Sequence, residues 1–351
     1  MTEATNPTGF TFAETMAELW LTGQQNRLKL LVYSGLPASG KTKAALEWVA
    51  KDPDNRYRCN YDDLRLELFG LGWKFNFKDE RFMQDIAHGR VVKALIAGKS
   101  VVIDNTNLTP RSRDKWKSVA VKNNALHIEQ EFDTPVITCK RRDESREGSS
   151  RVGWAVIDHM ALFNGFIDWD DKEVYLHPNF IVVDMDGTLS DCSHRKHFVE
   201  GTTQHLTECS PLATFKDGKC IACGAVKYKK DWGSFFRGVG EDPPVPAVVK
   251  LVKHFYFLGY DVLVVSGRPM DQCGTATEAW LRKHLSSQGV TIKHLFMRRG
   301  QDQRPDTEVK QEILDMLPKN RIGYVLDDRD SVVEMWRSNG LTCLQVAKGN
   351  F

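Results

Sequence analysis

The chain has 351 residues, 41% of them hydrophobic and 27% charged, with a net charge of +2. That length favours two domains and that composition a water-soluble globular fold, which excludes a fibrous or wholly disordered chain. So small a net charge leaves any polyanion to be bound by local patches.

No apolar run approaches the ~20 residues a membrane helix needs. The polar start, Met1 to Gly9, lacks a signal-peptide pattern. No membrane partner and a cytoplasmic location are therefore expected. Of the eight cysteines, Cys209, Cys220 and Cys223 crowd together, which without a secretory signal suits a metal site in a reducing compartment better than disulfides.

In chain order, residues 1–27 read as a polar tail and an extra helix. Phe12, Met16, Leu19 and Trp20 recur at helical spacing, facing either their own domain or a partner. A strand over Leu28 to Tyr33 then runs into Gly35-Leu36-Pro37-Ala38-Ser39-Gly40-Lys41-Thr42 and a helix to Ala50. This G-x-x-x-x-G-K-T motif between strand and helix is a P-loop. Gly35, Ser39 and Gly40 belong to the loop whose backbone N–H groups wrap a nucleotide phosphate. Lys41 offsets phosphate charge, and Thr42 can ligate Mg²⁺. ATP and Mg²⁺ are the implied cofactors.

A short strand, Arg56 to Asn60, leads to Asp62-Asp63-Leu64-Arg65. Asp62 is placed either to take a proton from an attacking hydroxyl or to cap a helix. A helix over Glu80 to Ala97 and a strand over Ser100 to Ile103 bring in Asp104-Asn105-Thr106-Asn107, which reads as a substrate contact through Thr106 or as turn chemistry. A helix from Thr109-Pro110, a strand over Leu126 to Phe132 and a helix from Pro135 follow. The last ends in a basic segment where Arg142 and Arg146, four apart, share a helix face. They read as a phosphate-clamping lid or as a solvated face. An amphipathic helix over Trp154 to Ile167 is expected to close the first domain, 28–167. Residues 168–178 form the linker.

The second domain, 179–351, opens on Asn179-Phe180-Ile181-Val182-Val183-Asp184-Met185-Asp186-Gly187-Thr188. The period of a strand puts Asp184 and Asp186 on one side. Further polar clusters follow: Ser266-Gly267-Arg268 after a strand, Asp306 and Lys310 within Arg304 to Leu314, and Asp327-Asp328 after Ile322 to Leu326. Between the first two lies an irregular stretch, 197–230, where Cys220-Ile221-Ala222-Cys223-Gly224 can turn two thiolates to one ion. With Cys209 and His205 they would make a closed structural zinc site. His197 or His194 could replace His205, and Cys192 is the lesser thiol candidate.

The D-x-D-G-T stretch, then a hydroxyl, a lysine and an acidic pair, resembles the haloacid-dehalogenase (HAD) phosphatases. That resemblance implies Asp184 as nucleophile, Asp186 as acid and base, and Ser266 and Lys310 on the phosphoryl oxygens. Asp184, Asp186, Asp327 and Asp328 would form the Mg²⁺ set. Taken with the P-loop, the chain resembles the bacteriophage-type polynucleotide 5′-kinase/3′-phosphatase family, over roughly residues 28–351. The closing Val332-Val333-Glu334-Met335-Trp336-Arg337 and Gln345-Val346-Ala347-Lys348-Gly349-Asn350-Phe351 look especially like that family's end.

The fold implied is α/β, two doubly wound parallel-sheet domains, P-loop kinase then HAD-like phosphatase, with a small zinc-binding insert in the second. The activities implied are transfer of the ATP γ-phosphate to 5′-hydroxyl ends of RNA or DNA and removal of 3′-phosphate and 2′,3′-cyclic phosphate. By position the resemblance assigns Asp62 as kinase base, Arg65 to the acceptor phosphate, Arg142 and Arg146 to the lid, and Arg146 to the transferring phosphate. It assigns Arg195 to the phosphatase, and Arg268 and Asp306 to its substrate. It also implies coupling to an RNA or DNA ligase, a homo-oligomer, and the cytoplasm of an infected bacterial host. Tyr61 and Asn105 stand where the family carries an arginine and an aspartate. The alternative reading is a kinase–phosphatase fusion acting on small phosphorylated metabolites.

Overall fold

The computed structural model describes residues 27–73, 75–167, 169, 179–201 and 214–349. The helix expected over 12–21, His205, Cys209 and the linker apart from Trp169 lie outside these residues. The chain divides into two compact units, residues 1–151 and 152–351.

The first unit is built on a parallel sheet of β1 (Lys29–Gly35), β2 (Arg56–Cys59), β3 (Ser100–Ile103) and β4 (Leu126–Phe132), in the order β2-β3-β1-β4. Alternate residues of the central strands serve opposite cores. Leu30, Val32, Val101 and Ile103 pack against Met83, Val91 and Trp116, while Leu31, Tyr33 and Val102 pack against Ala45 and Trp48. Parallel strands sealed on both faces read as continuous apolar runs, and that is how β1 and β3 read. The helices are α1 (Lys41–Ala50), α2 (Tyr61–Phe69), α3 (Phe77–Ile96), α4 (Pro110–Lys122) and α5 (Val136–Glu144).

Two local expectations change here. Asn60, not Asp62, caps α2: its side-chain oxygen accepts from the N–H groups of Asp62 at 2.9 Å and Asp63 at 3.1 Å. Helix α5 stops at Glu144, where the chain tightens and Arg146 N–H donates to the Asp143 carbonyl at 3.0 Å. Arg146 therefore follows the helix and shares no helix face with Arg142.

The second unit carries a five-stranded parallel sheet, β11-β10-β5-β8-β9. Its strands are β5 (Phe180–Val183), β8 (Asp261–Pro269), β9 (Ile292–Arg298), β10 (Ile322–Arg329) and β11 (Cys343–Gly349). A separate hairpin pairs β6 (Phe215–Lys216) with β7 (Lys219–Cys220). The helices are α6 (Trp154–Phe163), α7 (Trp232–Arg237), α8 (Pro246–Phe257), α9 (Met270–His284), α10 (Asp306–Asp315) and α11 (Asp330–Ser338). Ile181, Val183, Val262 and Val264 face Trp280, Leu281 and Trp154. Phe180, Val182, Leu263 and Val265 face Leu314, Val332 and Trp336.

Helix α6 corrects the expected domain boundary. It does not close the first unit; it packs on β9 and α9 of the second. Its buried Asp158 accepts from Leu295 N–H at 2.9 Å and lies 2.8 Å from His294 Nδ1, and Trp154 N–H donates to Glu278 at 2.9 Å. Amphipathic periodicity shows that a helix needs a sheet but not which sheet.

Removing the Asp158 carboxylate leaves a buried N–H unpaired, at a cost of about 1–3 kcal/mol. Asp158→Ala in the full chain is therefore expected to lower the unfolding transition of the phosphatase-type unit and spare that of the P-loop unit. A calorimetric scan with the loss on the P-loop transition would return α6 to the first domain.

Candidate active sites

In the first unit, β1 delivers the chain into the P-loop. Gly40 has φ +109, a conformation that suits glycine. The Lys41 ammonium is buried and donates to the Gly35 carbonyl at 2.8 Å, the Leu36 carbonyl at 2.6 Å and Ser39 Oγ at 3.1 Å. Burial pulls its pKa down to about 8. Cys139, Asp104 and Asp62 pull the other way and Arg146 adds to the drop. Arg142 reaches the loop too, donating to the Ser39 and Ala38 carbonyls at 3.3 and 3.4 Å. Arg146 lies 3.7 Å from Asp143 and donates to the Ser150 carbonyl at 3.3 Å. Thr42, on the first turn of α1, is exposed.

With Asn60 doing the capping, the Asp62 side chain stands 86% exposed, paired with Arg65 at 2.5 Å. Arg65 is also forked to Glu80, at 3.0 and 2.7 Å. Thr106 belongs to the turn that locks β3 to the loop: its carbonyl accepts from Gly35 N–H at 3.0 Å, and Asn107 Nδ2 donates to the Tyr33 carbonyl at 2.8 Å. Asn105 accepts from Tyr61 N–H at 2.8 Å, so the two positions that depart from the resemblance touch one another. Buried Asp104, which carries no sequence motif, ties down Arg58 at 2.8 Å, and Arg58 also bonds Asp63.

The second site sits at the carboxyl ends of β5, β8 and β10, where open α/β sheets leave a crevice. Its chemistry divides in two. Asp184, Asp327 and Asp328 bring their oxygens within 4.8 Å of one another. Three buried hard carboxylates suit Mg²⁺. Lys310 Nζ bridges Asp184 at 2.8 Å and Asp327 at 2.7 Å. Burial pushes the Asp184 carboxyl well above the ordinary carboxylate range, with Asp327 and Asp328 adding to the rise and Lys310 opposing it. Gly187, at φ +84, is required because a Cβ there would collide with the Asp328 carboxylate.

The other half belongs to Asp186, and it corrects one assignment. Asp186 is not part of the carboxylate cluster: two buried arginines hold it instead. Arg268 donates through Nε at 3.0 Å and Nη2 at 2.5 Å, and Arg195 Nη2 bonds the same oxygen. Burial pushes its pKa up, but Arg268 and then Arg195 outweigh that and hold it at about 2.

Behind both arginines lies Asp242, which sequence reasoning missed. It accepts from Arg195 Nε at 2.7 Å and Nη2 at 2.6 Å, and from Arg268 Nη2 at 2.7 Å. Ser190 Oγ donates to it at 3.1 Å, and His194 Nε2 lies 2.9 Å away. The neighbouring Pro243-Pro244 was the one available signal.

Ser266 Oγ is buried and accepts from Arg268 N–H at 3.2 Å. Asp306 bonds Arg298, and Arg329 at 2.5 Å, so it orients cations at the rim. Above these groups opens a cavity of about 580 Å³ whose lining includes Asp184, Asp186, Ser266, Lys310 and Arg304. Cys220 ends β7 and Cys223 lies in the tight turn that follows it, where Gly224 N–H donates to the Cys220 carbonyl at 2.8 Å. His205 and Cys209 lie outside the described residues.

A P-loop unit followed by a unit with the HAD-type carboxylate site defines a kinase-type domain joined to a phosphatase-type domain. Comparison narrows this. Residues 229–351 match the family model of the polynucleotide kinase PNKP phosphatase domain, and residues 30–162 match that of the AAA domain. The second match runs past the unit boundary into α6. A protein of Autographa californica nuclear polyhedrosis virus, named as a bifunctional polynucleotide kinase/RNA ligase, is 23% identical over 330 residues. That alignment covers 88% of this chain and 41% of the viral protein, so the chain spans less than half the length of that relative. Among solved structures, a chain of the Pnkp1/Rnl/Hen1 complex is 24% identical, with 93% of this chain and 98% of that one covered and a TM-score of 0.34. The Mycobacterium tuberculosis APS kinase CysC with AMPPNP and APS is 22% identical over 34% of this chain and 70% of its own, with a TM-score of 0.28.

Two predictions follow from these geometries. Asp242→Ala leaves two buried guanidinium groups without their counter-charge, and the loss of such supporting contacts commonly costs 10–100-fold. Phosphatase kcat/KM is expected to fall by about that factor with the P-loop activity unchanged; equal loss of both would mean general unfolding. For Lys41, a free-enzyme pKa of about 8 predicts that kcat/KM for ATP declines as pH rises through about 8. The sign for stability is opposite. The unfolded lysine binds more protons from about pH 8 up to its ordinary pKa of 10.5, so this residue's contribution rises with pH across that window.

Proposed function

We propose that the chain is a bifunctional nucleic-acid end-healing enzyme: an ATP-dependent polynucleotide 5′-hydroxyl kinase and a polynucleotide 3′-phosphatase. The observation that carries this is the pairing, in one chain, of a P-loop beside an exposed carboxylate with a second unit whose PNKP-type match, residues 229–351, brings Lys310 and Asp327 to a cavity shared with Asp184 and Asp186.

In the kinase reaction, the Asp62 carboxylate takes the proton of the 5′-hydroxyl as its oxygen attacks the γ-phosphorus of ATP, and ADP leaves. Exposure suits Asp62 to meet a macromolecular end. Lys41, the backbone N–H groups from Gly35 to Gly40, and Arg142 hold the phosphates. Arg146 turns from Asp143 to the transferring phosphoryl group, and Arg65 holds the acceptor phosphate, with Thr106 beside it. Mg²⁺, held by Thr42 here and by Asp184, Asp327 and Asp328 in the second site, would neutralise phosphate charge.

In the phosphatase reaction, an Asp184 oxygen attacks phosphorus and the P–O3′ bond breaks as Asp186 donates a proton to the leaving oxygen. Water then surrenders a proton to Asp186 and attacks the aspartyl-phosphate, releasing phosphate and restoring Asp184. Asp186 must gain a proton for the first step although the arginines hold it ionised. A substrate phosphate that draws Arg268 and Arg195 toward itself loosens that hold and raises its affinity for a proton. Lys310 and Ser266 take the phosphoryl oxygens. The same site accepts 2′,3′-cyclic phosphate ends.

We extend the proposal to a structural zinc ion on Cys220, Cys223, Cys209 and His205, to a ligase that joins the healed ends, to a homo-oligomer, and to action in the cytoplasm. No helix among the described residues is long and apolar enough to cross a membrane. The viral relative is named as a polynucleotide kinase/RNA ligase, and RNA ends are accordingly the first substrates to try.

With labelled ATP and a 5′-hydroxyl oligonucleotide, Lys41→Ala or Asp62→Ala is expected to abolish labelling while 3′-dephosphorylation persists. Asp184→Asn is expected to do the reverse. Loss of both activities in either folded variant would defeat the two-site reading, and activity confined to small metabolites would favour the alternative fusion. Metal analysis is expected to find about one zinc per chain, lost in Cys220→Ser; a metal-free preparation of the folded protein would remove the zinc proposal.

A further inference from the structure

One wall of the phosphatase cavity is aromatic and has no part in the chemistry so far. Trp232, Phe235 and Phe236 of α7 line it, and Gln301 and Gln303 line the same cavity. The wall reaches the catalytic acid through a single side chain. The Arg195 guanidinium lies over the Phe235 ring at 4.1 Å and also grips Asp186. Trp232 stands edge-on to Phe235, with ring centres 5.6 Å apart, and stacks on Phe236 at 5.7 Å with 21° between planes. An indole fixed by two rings and still 41% exposed is a rigid platform open to solvent. Its ring already attracts a cation, Lys230 Nζ, at 5.4 Å from the centroid.

The division of chemistry says what belongs on that platform. Asp184 and Lys310 address phosphorus, while Asp186 addresses the leaving oxygen. The leaving group must therefore depart on the Asp186 side, and that is the side on which Arg195, Phe235 and Trp232 follow one another. We propose that Trp232, backed by Phe236, is the stacking platform for the base of the 3′-terminal nucleotide. This subsite rests on the polynucleotide-phosphatase reading above. A flat ring favours any of the bases over an alkyl or sugar leaving group, because every base offers a π face. The uncharged amides of Gln301 and Gln303 can serve both donors and acceptors on a base edge. The subsite thus demands a base but tolerates any sequence.

The test uses the full-length enzyme, Trp232→Ala and Trp232→Phe, with a 3′-phosphate oligonucleotide and the same strand ending in an abasic 3′-phosphate. Trp232→Ala is expected to raise KM on the normal strand roughly tenfold, as a lost base–aromatic stack does, with kcat little changed. Trp232→Phe should recover most of it. On the abasic strand, wild type and Trp232→Ala should share one KM. An unchanged KM on the normal strand, or an equal penalty on both strands, overturns the platform. A wild-type enzyme that hydrolyses acetyl phosphate but neither oligonucleotide overturns the proposed function and the platform with it, and the wild-type arm alone shows that result.

Discussion

Asp242 holds two guanidinium groups at once, and the phosphatase-type unit is arranged around that arrangement. Arg195 and Arg268 are both buried, and an isolated charge so placed would cost several kcal/mol. Asp242 on one side and Asp186 on the other offset it, giving two cations between two anions. Truncating any one member leaves a neighbour uncompensated. The geometry explains why Asp186 is held ionised in spite of its burial. Asp184, two residues away, is driven the other way: burial raises it, and only one lysine opposes that rise while two further carboxylates add to it. Two aspartates on one strand end are set to opposite tasks by the cations each can reach.

The P-loop unit solves a different problem. The base proposed for it, Asp62, is exposed and needs no compensating burial, and its cation, Lys41, is turned onto the loop's own carbonyls. The buried lysine is satisfied by donating three hydrogen bonds to loop oxygens. A nucleotide phosphate would compete with those bonds, so binding exchanges internal contacts for ionic ones. Arg142, anchored to the same loop, and Arg58 and Arg65, each held between two carboxylates, keep further guanidinium groups ordered at modest entropic cost.

Much of this was legible in the sequence because both sites sit at strand ends. β-branched runs that stop at Gly, Asp or Ser announce a buried strand entering a polar crevice; the strand ends there at Asp184 and at the P-loop, while β8 and β10 run on through Ser266 and Asp327. What was not legible depends on partners distant in the chain. Asp242 lies 47 residues from Arg195 and 26 from Arg268, with no motif to join them. The placing of α6 failed for a related reason, since an apolar stripe records the need for a core and not its address. Assigning Arg146 to a helix face extrapolated the 3.6-residue period past the point where the helix ended, whereas the place of Asp186 in the metal set came with the resemblance and was undone by its pairing with Arg195 and Arg268.

The stretch between Arg195 and α7 takes its meaning from its stems. Asp231 N–H donates to the Phe198 carbonyl at 2.8 Å, so the chain leaves and re-enters the fold at one point. Val199 from the outgoing stem and Phe235 from the returning helix are buried in one small cluster, with Phe198 and Phe236 packed against it. One stem therefore carries the arginine on Asp186, and the other carries the aromatic wall over the cavity. The two stems meet in a shared cluster rather than through a ligand of the site. An insertion is tolerated there because closing a long loop adds little entropy cost. Its location still places it next to the arginine that pairs with Asp186.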